Sequence, residues 1–282
     1  MFRAKHALVA SCLFLGASVA SGALLDGLIS GWTFDDETVD DIRGRNHGVL
    51  RGGAAYAPDR HDGMALDLNG VDSFAEIPHG ASMEPMADQL TAAGWVFVRA
   101  NAQEFPSFMW KGAGMGWGPG YLFQLSIRNP DTTVMQYGSC SQNVEGWFNY
   151  RVEALNDGEW HHTATVADGD EINGYFDGEE LALLSSYTGG KRPLRVKAPY
   201  NVFPDQPIRM GLGQGIGGNA INNPDFLDNK GWIDGMVDDA VIFSRALSQD
   251  EILELMESDL SELRAVQFQG KLTVTWAGLK SR

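Results

Sequence analysis

The sequence predicts an all-β protein of antiparallel strands, and two observations support this class. The first is a segment, residues 156–180, in which two apolar runs are separated and bounded by Asp-Gly turns. Asp-Gly favours turns because Gly accepts positive φ and the Asp side chain bonds its own backbone. The second is the alternation of side chains from Trp160 to Val166 and from Ile172 to Phe176, which is the period of a half-buried strand. Together they predict an antiparallel hairpin.

The order of residues in this hairpin resembles the signature of laminin-G-like domains in the concanavalin A-like jelly-roll family. The segment reads DG-x-WHH, a strand, DG, a second strand with Tyr, and DG again. Other stretches resemble further parts of the family in the expected order, at residues 31–48, 65–78 and 233–248. The resemblance implies a two-sheet antiparallel jelly-roll sandwich with a short C-terminal helix. It says little about function, because one fold carries many activities.

Further elements follow from local signals. Ser248 and Glu251 form a capping box that predicts the start of the helix. Its predicted apolar face consists of Ile252, Leu253, Leu255 and Met256. Strands are expected around residues 30–34, 54–60, 64–77, 90–99, 147–152 and 208–213. Glycine-rich or irregular loops are expected at residues 113–120, 139–146, 185–207 and 214–229.

The chain is interpreted as a leader at residues 1–23, one domain at 24–258 and a short tail at 259–282. Arg3 and Lys5 precede an apolar run, and Ser18-Val19-Ala20 has the small residues of a signal-peptide cleavage site. The alternative is a lipobox that ends at Cys12, which would make the protein a lipoprotein. The leader predicts a secreted or cell-surface bacterial protein. In the secreted form Cys140 is the only cysteine left, so no intrachain disulfide forms.

The formal net charge of −16 makes nucleic acid and anionic membranes unsuitable partners. No apolar run is long enough to predict a membrane span in the mature protein. The sequence also lacks the carboxylate pair that a glycosidase needs. Asp238 and Asp239 are adjacent, so on a regular strand they would point to opposite faces. The rings of His161 and His162 would likewise face opposite sides, which favours packed, hydrogen-bonded histidines over a metal pair.

The family resemblance implies a structural calcium ion between the first and last strands. Asp35, Asp36 and Asp238 stand at the matching positions, and carboxylate oxygens are the ligands that calcium prefers. The alternative is that these aspartates face solvent or cap turns.

Carbohydrate binding is predicted from aromatic and polar residues in or beside the irregular loops. Sugars stack on aromatic rings and bond polar side chains through their hydroxyls. The candidate ligand-binding residues are Trp117, Tyr121, Trp147, Tyr187, Lys191, Arg192, Asn222 and Asn223. Core packing is the alternative for Tyr121 and Trp147. The basic pair Lys191 and Arg192 would suit an acidic polysaccharide, with a solvated surface as the alternative.

The sequence therefore predicts a secreted, non-catalytic module that binds a polysaccharide or glycoconjugate. A module that recognises a protein partner is the main alternative. A divergent glycoside hydrolase is a third hypothesis.

Overall fold

A computed structural model describes ten stretches of the chain: residues 24–83, 89–100, 107–111, 124–128, 134–141, 144–151, 157–168, 171–186, 207–212 and 232–261. The predicted leader, most of the predicted tail and most of the glycine-rich loops lie outside these residues. Only the backbone is described for residues 100, 124–151, 172 and 183–186 within these ranges.

The described residues contain sixteen strands and one helix of several turns. The strands are β1 Leu28–Trp32, β2 Val49–Arg51, β3 Ala55–Pro58, β4 Met64–Asn69, β5 Phe74–Ile77, β6 Leu90–Ala100, β7 Ser107–Lys111, β8 Gln124–Arg128, β9 Val134–Ser141, β10 Val144–Arg151, β11 Trp160–Ala167, β12 Ile172–Phe176, β13 Glu179–Glu180, β14 Leu183–Ser186, β15 Ile208–Met210 and β16 Asp234–Phe243. The helix is α1, Gln249–Glu257, and a short 3-10 turn covers Ala81–Met83.

The strands form two antiparallel sheets of eight strands each within the described residues. The first sheet has the order β13-β12-β11-β6-β16-β4-β3, with β1 also paired to β16. The second sheet has the order β14-β10-β9-β8-β7-β15-β5-β2. This arrangement confirms the predicted two-sheet antiparallel sandwich with a C-terminal helix.

The predicted hairpin at residues 156–180 is confirmed as β11 and β12. The two strands pair from Thr163 opposite Phe176 to Ala167 opposite Ile172. On its other edge β11 pairs along its whole length with β6, which in turn pairs with β16. The hairpin and the closing strand therefore share β6 as a neighbour.

The main core lies between the two sheets. Alternate residues of each strand point inward because successive side chains leave a strand on opposite faces. The first sheet contributes Leu66, Val96 and Ile242, and the second contributes Ile77 and Met210, all with 1% exposure or less. Burying one such side chain contributes about 1.5–3 kcal/mol to stability.

A second apolar cluster covers part of the outer face of the first sheet. Helix α1 begins with the predicted capping box: Ser248 Oγ accepts from Glu251 N at 3.3 Å, and Ser248 N donates to Glu251 Oε2 at 2.8 Å. Ile252 and Leu255 are buried against the sheet, whereas Leu253, which was assigned to the apolar face, is 40% exposed. The buried face of a helix is about 100° wide, so four apolar residues within five positions do not all fit on it. Leu253 is the one that faces solvent.

The N-terminal segment completes this second cluster. Leu24 and Leu25 are buried beside α1, and Arg245 donates to the carbonyls of Leu24 at 3.2 Å and Asp26 at 2.7 Å. Leu260, which the sequence assigned to the tail, is also buried there. We call the part of the outer face beneath these segments the closed end.

One predicted loop is wrong. Residues 139–146 were expected to be irregular, but most of them belong to β9 and β10, which pair from Ser141 opposite Val144 to Val134 opposite Arg151. The polar and small residues of this stretch carry no apolar periodicity. A ladder of backbone hydrogen bonds forms without it.

Candidate functional site

The outer face of the first sheet changes character beyond the closed end. On β6, Ala92, Val96 and Val98 belong to the core between the sheets, so Trp95 and Phe97 point outward. Strand pairing places Phe97 beside Trp160 of β11 and Met236 of β16. We call Phe97, Trp160 and Met236 the aromatic strip, and the face around it the open end.

The side chains of the aromatic strip are only half-buried. The rings of Phe97 and Trp160 lie 5.7 Å apart between centroids, with 53° between their planes. In the pairing of β16 with β4, Met236 lies opposite Asp67. Three apolar side chains on three adjacent strands therefore form one short band that ends at a carboxylate.

A charged trio, Arg99, Asp67 and Asp234, borders this band. Arg99 Nη2 donates to the carboxylate of Asp67, and Nη1 lies 3.4 Å from Asp234 Oδ1. Nη1 also donates to the carbonyls of Leu68 at 3.2 Å and Gly235 at 3.3 Å. The guanidinium is therefore held in one orientation, while the three side chains stay 32–39% exposed.

A second charged group, the Arg60 clasp, lies between the open and closed ends. The Arg60 guanidinium lies 4.5 Å from the centre of the Trp95 ring and donates to Asp238 and, at 2.5 Å, to Asp239. The Arg60 side chain is only 8% exposed. The clasp ties the turn after β3 to the closing strand.

The clasp corrects the expectation that Asp238 and Asp239 point to opposite faces. Strand β16 has a register shift between Asp238 and Val241, and Asp239 has φ 45°. Such a bulge with a left-handed residue turns the second side chain toward the first. Gly94 on β6 makes room, since a Cβ there would lie 3.1 Å from the Asp238 carbonyl and 2.6 Å from the Phe108 ring.

Burial dominates the electrostatics of the clasp. It raises the pKa of Asp238 to about 9 and the pKa of Asp239 to about 6, and the positive charge of Arg60 opposes both shifts. One guanidinium is shared by two buried carboxylates, so the second negative charge is not neutralised. The clasp therefore holds an extra proton more readily than exposed aspartates would.

The two histidines face opposite sides of β11, as expected. His162 is fully buried, with its ring 5.3 Å from Trp95, and burial lowers its pKa to about 3. His161 stacks on Phe176 at 4.6 Å, and its Nδ1 and Nε2 lie 2.8 Å from Asp177 and 3.1 Å from Asp157. The Asp177 hydrogen bond raises the pKa of His161, with burial opposing it. His161 is therefore packed and hydrogen-bonded, whereas His162 is packed against Trp95 and its Nδ1 is buried without a hydrogen-bond partner among the described residues.

An acidic pocket of about 460 Å³ lies beside the clasp. Its carboxylates are those of Asp35, Asp36, Asp59, Asp62, Asp239 and Asp259. Burial raises the pKa of Asp35, and the charges of Asp59 and Asp259 add to the rise, while the N–H of Met64 opposes it. Among the described residues, no three His, Cys, Asp or Glu side chains converge closely enough to hold a metal ion.

The pocket contains two of the three predicted calcium ligands. Asp35 and Asp36 line it, but Asp238 lies on the Arg60 guanidinium. The carboxylate of the closing strand that reaches the pocket is Asp239. An ion that binds Asp35, Asp36 and Asp238 together thus does not fit this arrangement.

Most predicted ligand-binding residues lie outside the described part of the chain. These are Trp117, Tyr121, Tyr187, Lys191, Arg192, Asn222 and Asn223. The backbone of Trp147 lies in β10 opposite Gly138. Sequence reasoning missed the aromatic strip, although the alternation in β6 and β11 already places Phe97 and Trp160 on one face of their strands.

Comparison with protein families and solved structures defines what this fold is similar to. The sequence profile of the family described as concanavalin A-like lectin/glucanases superfamily matches residues 69–253. A comparison with curated protein sequences gave no match. Within the described residues, no helix has the length and apolar character needed to cross a membrane.

Three solved structures share the fold at low sequence identity. One is domain 4 of AbnA, a GH43 extracellular arabinanase from Geobacillus stearothermophilus, in complex with arabinotriose. It is 19% identical in sequence and has a TM-score of 0.55. The match covers 81% of this chain and 97% of the arabinanase domain. The binding domain of botulinum neurotoxin DC in complex with SialylT is 12% identical in sequence and has a TM-score of 0.58. The match covers 83% of this chain and 52% of the toxin chain. The same toxin domain in complex with rat synaptotagmin II is 12% identical in sequence and has a TM-score of 0.56. The match again covers 83% of this chain and 52% of the toxin chain. The chain spans about half the length of the toxin domains.

Proposed function

This chain belongs to the concanavalin A-like lectin/glucanase superfamily, and we propose that it is a non-catalytic module that binds carbohydrate outside the cell. The observation that carries the proposal is the state of Asp238 and Asp239. The stretches of the sequence that come nearest to a catalytic carboxylate pair are Glu171 to Asp177 and Asp234 to Asp239. In the second stretch, the side chains of Asp238 and Asp239 are largely buried and both accept hydrogen bonds from Arg60. A glycosidase needs two carboxylates that face the substrate from opposite sides of the bond to be cleaved.

The carbohydrate part of the proposal is supported by the structural neighbours. One is a domain of an extracellular arabinanase in complex with arabinotriose, and it is matched over 97% of its length. Another is a toxin binding domain in complex with SialylT. These ligands are those of the neighbours, and they supply the first glycans to try. The extracellular neighbour also agrees with the predicted leader.

The test is a glycan array on the protein without residues 1–23, with arabinotriose and sialylated glycans included, alongside a reducing-end assay for hydrolysis. We expect selective binding to at least one glycan and no release of reducing ends. Binding to no glycan would overturn the carbohydrate proposal, and hydrolysis would overturn the non-catalytic one. Trp117→Ala tests whether the glycine-rich loop contributes to binding.

A protein-binding module is the second candidate. The neighbour that supports it is the toxin binding domain in complex with rat synaptotagmin II. A protein partner that still binds after complete deglycosylation, together with a blank glycan array, would favour this alternative. Binding that disappears with the glycans of the partner would favour the lectin.

Calcium remains a separate proposal, with a different third ligand from the predicted one. Asp239 lines the acidic pocket together with Asp35 and Asp36. Calcium would have to draw these carboxylates closer together, because no three of them converge among the described residues. Carboxylate oxygens suit calcium. The pKa of Asp35 is raised mainly by burial, and the negative charges of Asp59 and Asp259 add to the rise, so a cation in the pocket would meet several carboxylates. We expect calcium to raise the melting temperature and EDTA to lower it. No change with either reagent would remove calcium from the proposal.

A further inference from the structure

We propose that the aromatic strip and the charged trio together form the surface that binds a neutral oligosaccharide. This inference rests on the proposed function and gives it a place and a ligand class. The strip supplies Phe97, Trp160 and Met236, and the trio supplies Arg99, Asp67 and Asp234. None of these residues lies in the glycine-rich loops that sequence analysis favoured.

The apolar half of the surface has the shape that sugar stacking needs. Neighbouring strands are about 4.8 Å apart, so side chains at equal register on β11, β6 and β16 form a continuous band. Phe97 and Trp160 are half-buried, so parts of their rings remain in contact with water. The C–H faces of a pyranose or furanose ring cover such rings and remove that contact.

The polar half is fixed before any ligand arrives. Two backbone carbonyls and two carboxylates hold the Arg99 guanidinium. The side chains of Asp67 and Asp234 are 32% and 39% exposed, and each keeps lone pairs that Arg99 does not use. A sugar hydroxyl both donates and accepts, so it bonds either the carboxylates or the guanidinium edge. Side chains that are already ordered lose little entropy on binding.

Charge selects a neutral ligand. The trio combines two carboxylates with one guanidinium, and the whole chain carries a formal charge of −16. An acidic glycan would meet repulsion at this surface. A neutral glycan would lose none of its affinity to this repulsion and would still use both donors and acceptors.

The two ends of this sheet face differ in whether other segments of the chain cover them. At the closed end the side chains of β6, β11 and β16 are buried under α1 and the N-terminal segment. At the open end the larger aromatic side chains stay half-buried. Large apolar side chains that keep solvent contact beside ordered polar groups are typical of ligand sites.

The experiment titrates the protein with neutral trisaccharides of glucose, xylose, mannose and arabinose, and with a uronic-acid trisaccharide, by isothermal calorimetry. Trp160→Ala removes the ring at the edge of the strip, and Asp234→Asn removes one acceptor while keeping its shape. Leu253→Ala is the control, because Leu253 is an exposed apolar residue on α1. Circular dichroism melting confirms that each variant is folded.

We expect at least one neutral trisaccharide to bind, with Trp160→Ala weakening affinity about tenfold or more and Asp234→Asn about fivefold. Leu253→Ala should leave the affinity unchanged. If the protein binds a glycan and both variants bind it as well as the parent, the surface is elsewhere, while the lectin proposal survives. Preference for the uronic-acid probe overturns the neutral ligand class. If no glycan binds on the array or here, the proposed function fails as well.

Discussion

The two ends of one sheet face show how the same strands serve two purposes. At the closed end, β6, β11 and β16 present Ala93, Ala164 and Val241, which have 0% exposure beneath α1. At the open end, the same strands present Phe97, Trp160 and Met236, which stay half-buried. Small side chains let a helix approach closely, whereas large ones at the open end provide a platform. The change in side-chain size along each strand separates the region that stabilises the fold from the region that can bind.

The largest effect is expected at the boundary between the ends. At pH 8 the carboxylate of Asp239, whose pKa is raised to about 6, is ionised. Arg60→Met leaves this buried charge without a counter-ion, so the free energy of unfolding should fall by about 4 kcal/mol at pH 8. The loss should be smaller at pH 5, because carboxylates with raised pKa values are then protonated. Urea denaturation at both pH values measures it.

Arg51→Met is the matched control for this variant. Arg51 also pairs with a carboxylate, Glu76, but its side chain is 51% exposed. Exposed pairs contribute about 1 kcal/mol or less. Equal losses for Arg60→Met and Arg51→Met would contradict the view that burial makes the clasp important.

The next largest effect is expected at the closed end. Ile252→Ala opens a cavity under α1, where Ile252 has 0% exposure, and should cost about 3 kcal/mol. Because the cavity lies away from the aromatic strip, glycan affinity should not change in the folded variant. Leu253→Ala, on the exposed side of the same helix, should cost under about 1 kcal/mol. Equal costs at the two positions would refute the observed packing of α1.

An intermediate effect is expected from pH, because burial and hydrogen bonding shift the pKa values of several groups in the fold. The raised pKa of His161 stabilises the fold below pH 6.5, and this contribution is lost as pH rises through the folded value. The pKa values of Asp238 and Asp239, raised from 3.8 to about 9 and 6, act in the same direction. The lowered pKa of His162 acts oppositely, but only below pH 6.5.

The melting temperature should therefore fall by about 5 °C between pH 6.5 and pH 9. Calorimetric or fluorescence melting measures it. Asp238→Asn removes the carboxylate whose pKa is raised to about 9, which is the one that titrates in this interval, and should flatten the curve. A melting temperature that rises over this interval would contradict the assignment.

The smallest effect is expected at the first turn of α1. Ser248→Ala removes the acceptor for Glu251 N and should cost about 1 kcal/mol. Ser248→Asp keeps an acceptor and should cost less. Denaturation of the two variants side by side distinguishes loss of the cap from a general effect of substitution at this position.

Local patterns were enough to predict the elements whose causes are local. The turns around β11 and β12 and the cap at Ser248 depend on neighbouring residues, and both were predicted. The contact of Arg60 with Asp238 joins positions 178 residues apart. It also depends on a left-handed residue, Asp239, that a strand pattern does not reveal. Distance along the chain and backbone irregularity hid the clasp.

The aromatic strip was missed for a related reason. Alternation indicates that Trp160 and Phe97 each leave one face of a strand. It does not indicate that β11 and β6 are neighbours, or that β16 places Met236 in the same row. That information lies in the sheet order, which the hairpin signal alone does not contain. For the same reason, the sequence alone does not reveal that Asp239, and not Asp238, is the closing-strand carboxylate that lines the acidic pocket.

The pairing of β1 with β16 has a mechanical consequence. Leu28, at the start of β1, pairs with Phe243, at the end of β16, so the two chain ends leave the antiparallel pair on the same side. A force that pulls the two ends apart would load the hydrogen bonds of this pair one after another. The strands would peel apart as a zipper opens, at a lower force than shearing requires. A tether attached at a single end would leave this pair unloaded.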